Sequence, residues 1–95
     1  MEISFKSKKI ERICTDFSEA SRQHGKDMAE KIHQRIDELR AANSINVMIQ
    51  FKLGRCHPLQ GGRADQYALD LIHPQRLIFK SNGRGVKILE IINYH

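Results

Sequence analysis

The chain has 95 residues, enough for one domain (1–95) and no second core, and a domain of this size buries only about 60–70% of its unfolded surface. That disfavours a deep private pocket and favours a shallow site on a large substrate. Sixteen Lys and Arg against eleven Asp and Glu give a net charge of +5; residues 1–50 carry nine basic and eight acidic groups and residues 51–95 seven and three, so the excess either builds a polyanion-facing surface in the second half or keeps a small protein soluble.

Glu2–Lys6 alternates, with Ile3 and Phe5 on one face, and predicts a first strand. Ser7 is placed to cap a helix from Lys8, along which Ile10, Ile13, Cys14, Phe17, Ala20 and His24 form one stripe until Gly25 stops it. Lys26–Ala42 is a second amphipathic helix, with Met28, Ile32, Ile36 and Leu39 inward, an Asp27/Lys31 pair outward, and Asn43-Ser44 at its end. So short a joint makes the two helices an antiparallel hairpin, its stripes core-facing. Asn46–Leu53 fits a short helix or a buried strand, the helix being preferred. Cys56–Ala64, with Pro58 and Gly61-Gly62, is a loop. Tyr67–Ile72 is a strand, His73-Pro74-Gln75 a turn, and Arg76–Lys80 a second strand. Ser81–Gly85 (SNGRG) is a tight hairpin with positive φ expected at Asn82-Gly83, and Val86–Tyr94 is a nearly continuous apolar strand, hence central. The expected fold is α+β: an N-terminal strand and helical hairpin packed on a mainly antiparallel sheet.

Neither Cys14 nor Cys56 has a CxxC neighbour, and Met1–Phe5 opens no apolar leader. They are expected to be reduced thiols, one a core filler, in a cytoplasmic protein without a membrane span. The five histidines (His24, His33, His57, His73, His95) show no tight metal-ligand spacing, and there is no phosphate-cradling glycine motif or nucleophile elbow; no metal or cofactor is expected.

Three places can carry chemistry: Arg55 with His57, Arg76, and Asn93-Tyr94-His95. Metal-free RNA cleavage needs a base for the 2′-OH, positive charge for the phosphate and an acid for the leaving 5′-oxygen. Imidazole, titrating near about pH 6.5, serves as base or acid, and guanidinium offers a fork of donors to phosphate. Plainer readings stand beside this one: His57 as a loop histidine, Arg76 as a surface residue, Tyr94-His95 as a frayed tail. The residues by themselves reach a basic α+β domain suited to RNA and stop there.

His57-Pro58-Leu59-Gln60-Gly61-Gly62-Arg63 followed by Tyr67 resembles the HPLKG-x-R-x-x-x-W segment of the HigB toxins, plasmid maintenance killer proteins of the RelE/ParE superfamily. His73–Phe79 (HPQRLIF) is similar to that family's xxWRLxF strand, and Ile91–His95 (IINYH) to its terminal xxDYH. Three fragments in order, with the helical hairpin before them, extend the resemblance over nearly the whole chain. It implies a toxin of a type II toxin–antitoxin system that cleaves mRNA on the 70S ribosome without a metal. It also implies a cognate helix-turn-helix antitoxin of the HigA type. Carried over by position, the catalytic set is His57 and His95 for proton transfer, Arg76 for the phosphate, Tyr94 against a base, and Asn93 beside them. Arg55, Gln60, Arg63 and Lys80 are expected to bind RNA. Gln60 stands in place of a Lys, Asn93 in place of Asp and Tyr67 in place of Trp; losing a cation and a carboxylate points to an attenuated toxin. Within the same superfamily, ParE-like inhibition of DNA gyrase without catalysis is the alternative, and an RNA-binding regulator a third.

Overall fold

A computed structural model describes residues 1–63 and 65–93. Its elements are β1 (Ile3–Phe5), α1 (Lys8–Thr15), α2 (Phe17–His24), α3 (Lys26–Ala41), α4 (Ile45–Gln50), a 3₁₀ turn (Leu53–Arg55), β2 (His57–Pro58), β3 (Gln66–Asp70), β4 (Gln75–Asn82) and β5 (Gly85–Asn93). The α+β class and the mainly antiparallel sheet are as the sequence predicts. The five strands run in the order β1-β5-β4-β3-β2, all neighbours antiparallel except β1 beside β5.

Several local expectations are corrected. The helix expected from Lys8 to His24 breaks at Asp16, whose extended backbone (φ −117°, ψ 105°) closes α1 while its carboxylate accepts the Glu19 N–H at 3.2 Å to cap α2. An aspartate competes well for this role because its side chain replaces the helical bond of a free N–H. Gly25 does end α2, at φ 86°. Ser44 ends nothing; its hydroxyl accepts the Val47 N–H and starts α4, the short helix preferred for that segment. Lys31 donates to Gln34 Oε1 at 3.1 Å rather than pairing with Asp27. In the β4–β5 hairpin only Gly83 takes positive φ (63°), while Asn82 still pairs with Gly85. That is the pattern of a turn with glycine at its first central position. β5, flanked by β1 and β4, is an interior strand as its apolar run predicts, whereas His57–Pro58, placed in a loop by its proline, adds an edge strand where a missing N–H is tolerated.

One core joins helices and sheet. Ile10, Ile13, Ile32, Ile36 and Leu39 from the helices meet Leu69, Leu77, Phe79, Val86 and Ile88 from the strands, all buried. Both cysteines are buried, not one. Val86 and Ile88 keep period two, but the next inward residue, Ile91, comes three later. A bulge opposite Ile78/Phe79 absorbs the extra residue and keeps Ile91 against the core. Ala68 and Ile78 are also fully buried yet lie outside that cluster, on the opposite sheet face. The register places His57, Ala68, Ile78 and Glu90 in one row across that second face, with Asp70, Arg76 and Ile92 in the next row. From the loop before β3, Arg63 reaches Glu90 at 3.3 Å. None of the helices described is long and apolar enough to cross a membrane.

Candidate active site

The second sheet face gathers the predicted residues near its β2 end. His57, Arg55 and Arg76 line one shallow depression of about 420 Å³ with Lys52, Ile49 and Cys56. His57 also borders a second, of about 350 Å³, formed with Pro58, Leu59, Gln60 and Arg63. The histidine thus stands on the ridge between two concavities, one carrying three cations and the other one.

Its ring is held from behind. His57 Nδ1 lies 2.8 Å from the Arg55 carbonyl oxygen. A carbonyl only accepts, so Nδ1 carries the proton of the neutral ring and Nε2 keeps its lone pair. The carbonyl faces this way because Arg55 is left-handed, with φ 52°. Lys52 (φ 55°) and Gly54 (φ 57°) are left-handed as well. For the two non-glycine residues such backbone costs about 1–3 kcal/mol each and persists only where surroundings enforce it. Enforcement comes from below. A Cβ on Gly54 would fall 2.8 Å from Arg35 Nε and 3.1 Å from a Leu69 methyl, and Arg35 Nε itself donates to the Asp70 carbonyl at 2.7 Å.

Asp70 ties the two arginines together. One carboxylate oxygen is 3.1 Å from Arg55 Nε, the other 3.3 Å from Arg76 Nε. The second contact is charge attraction rather than an aligned hydrogen bond, since that buried oxygen has no hydrogen-bond partner among the described residues. Arg76 is largely covered, its side chain 18% exposed, whereas Arg55 is 72% exposed. Cys56, beside His57, is buried, and loss of hydration raises its thiol to about 11, so it stays a neutral wall of the site.

The remaining predicted residues are spread more widely. Gln60 and Arg63 are in the second concavity. Lys80 shares Arg76's face but sits two rows away, between Gln66 and Lys87, roughly 13 Å along the strand. Asn93 pairs with Gln75, and strand alternation turns it to the face opposite Arg76; the expected grouping with Arg76 does not extend to it. Tyr94 and His95 lie outside the described residues. Tyr67 stacks on Phe79 (centroids 5.5 Å apart) toward the helices, so its exchange for Trp is a packing matter. Sequence reasoning missed Asp70 and Lys52. The first becomes visible only once the β3–β4 register sets it opposite Arg76, and the second was hidden in the segment of ambiguous period. Among the described residues, no three His, Cys, Asp or Glu side chains gather as a metal ligand set.

The fold, with helices packed on one face of a five-stranded sheet, is shared with solved structures of small proteins. The whole chain superposes on YoeB of Staphylococcus aureus, solved as a dimer and in complex with YefM, with a TM-score of 0.66, 20% identity and 97% of that chain covered. It superposes equally completely on a YoeB/ParE toxin from Agrobacterium tumefaciens, TM-score 0.69 at 15% identity. A heterotetrameric YoeB–YefM toxin–antitoxin complex from Staphylococcus aureus gives the same 0.66. These likenesses show a shared fold. No protein-family model and no curated protein matches the sequence.

Proposed function

We propose that this chain is the toxin of a toxin–antitoxin pair and an endoribonuclease that cleaves mRNA on the ribosome. The observation that carries the reading is His57, its Nε2 lone pair available, on the rim of a depression lined by Arg55, Arg76 and Lys52. Nε2 takes the proton of a ribose 2′-OH. The 2′-oxygen then bonds to the adjacent phosphorus as the P–O5′ bond breaks, leaving a 2′,3′-cyclic phosphate. Arg76 and Arg55 meet the charge gathering on the non-bridging oxygens, where a single donor is worth roughly 3–4 kcal/mol in comparable sites. His95 supplies the proton to the departing 5′-oxygen, with Tyr94 against a base; both roles rest on the resemblance to HigB toxins. Gln60, Arg63 and Lys80 extend the RNA path along the face, and Asn93 in place of Asp weakens turnover. The YoeB neighbours bound to YefM favour a protein antitoxin as partner, of the helix-turn-helix HigA type in this reading.

The test is cleavage of mRNA on programmed 70S ribosomes by the parent chain and by His57→Ala, His95→Ala, Arg76→Ala and Arg76→Lys. Loss of about 10²-fold or more for each histidine variant is expected, with Arg76→Lys retaining more than Arg76→Ala. Full cleavage by His57→Ala sinks the assignment. One structural neighbour carries both the YoeB and the ParE name, so gyrase inhibition is the second reading. Pulse-labelling in induced cells separates them: arrested DNA synthesis with translation intact selects gyrase.

A further inference from the structure

Phe51 ends α4 and is 68% exposed, the most exposed large apolar side chain described. It stands next to Lys52, the first residue of the left-handed turn that places Lys52 and Arg55 on the rim of the His57 depression. The turn is clamped onto β3 through Gly54 and Arg35, so its two cations are presented at fixed positions rather than on a floppy loop. An exposed aromatic residue next in the chain to Lys52 and four residues from Arg55 has the composition of a grip on single-stranded nucleic acid: bases offer a π face to stack, and phosphates offer charge. Phe51 lies outside the core cluster and its packed periphery, which is what a ring reserved for a base requires.

We infer that the Phe51–Arg55 turn is a subsite for single-stranded RNA, Phe51 stacking on a base next to the cleaved step while Lys52 and Arg55 hold its flanking phosphates. The inference rests on the endonuclease reading of the adjoining depression, but binding can be measured without cleavage. The probe is a short mixed-sequence oligoribonucleotide, 2′-O-methylated throughout so that no 2′-oxygen can attack.

Phe51→Ala is expected to weaken binding about tenfold or more, Phe51→Leu nearly as much, and Phe51→Trp to restore it, because only a flat ring stacks. The exposed position keeps these variants folded. Lys52→Asn with Arg55→Asn, which tolerates left-handed backbone, is expected to flatten the dependence of log affinity on log salt by about 1.4, at roughly 0.7 per phosphate of a single strand. Phe51→Leu binding as tightly as the parent overturns the stacking role. Phe51→Ala binding the RNA normally while failing to bind the antitoxin overturns the subsite and makes the ring a protein contact. A parent chain that cleaves on ribosomes with Phe51 irrelevant to both binding and cleavage refutes this inference alone. A parent that binds RNA through Phe51 yet never cleaves refutes the nuclease reading and leaves the subsite standing.

Discussion

Cys14, on the buried face of α1, has 2% of its surface exposed, and loss of hydration lifts its thiol from 9.0 to about 12. Cys56 is lifted to about 11 by the same cause. In the unfolded chain both ionise near 9, so above that pH the native state binds more protons than the unfolded one, and stability falls as pH rises. Their contribution is intact below about pH 9 and drains away between about 9 and 12. Urea midpoints of the parent are therefore expected to drop on going from about pH 8 to 11, and less steeply in Cys14→Ala. An equal slope in both proteins would assign the alkaline loss elsewhere. At neutral pH both thiols should resist alkylation until the chain is unfolded, since the thiolate is the reactive form.

At the scale of elements, β1 approaches β5 so closely that only glycine fits at position 85. A Cβ there would overlap the Glu2 carbonyl oxygen, the acceptor of the Val86 N–H. Gly85→Ala must push the two strands apart, and a loss of about 1–3 kcal/mol in chemical denaturation is expected, against a few tenths at Gly62, which has open space around it. The elements themselves were largely legible: apolar period, Ser7, Gly25 and the Asn-Gly turn place nearly every helix and strand. What escaped were decisions between competing local bonds. Asp16 breaks a continuous apolar stripe through a local cap, its carboxylate accepting the Glu19 N–H, and His57-Pro58 joins the sheet despite a proline because β3 is there to pair with it. The site was half legible. His57, Arg55 and Arg76 announced themselves by residue type and do share a depression. Asp70, which ties the arginines together, read as one more polar position of an alternating strand. Lys52 and Arg55 owe their placement to left-handed backbone, which Gly54 between them hints at and composition does not encode.

For the molecule as a whole, the basic excess of the second half resolves into geometry. The helices occupy one sheet face and leave the other to His57, Arg76, Lys80 and Lys87, with Asp70 and Glu90 engaged by arginines. A large, shallow, cationic face suits a substrate that lies across the protein rather than entering it. The parallel pairing of β1 with β5 has a further consequence in time. Ile3 finds its partner Val86 roughly eighty residues later in the chain, and closing so long a loop costs entropy before any contact repays it. While the protein is being made, β1 must wait beside an unfinished sheet until β5 has left the exit tunnel. Protease resistance of stalled nascent chains is expected to appear in one step, when the stall point lies far enough past Asn93, rather than helix by helix. Resistance already complete with β5 still in the tunnel would show that the helical half folds alone. If the single step holds, the cationic sheet face is complete only once β5 has emerged and taken its place between β4 and β1.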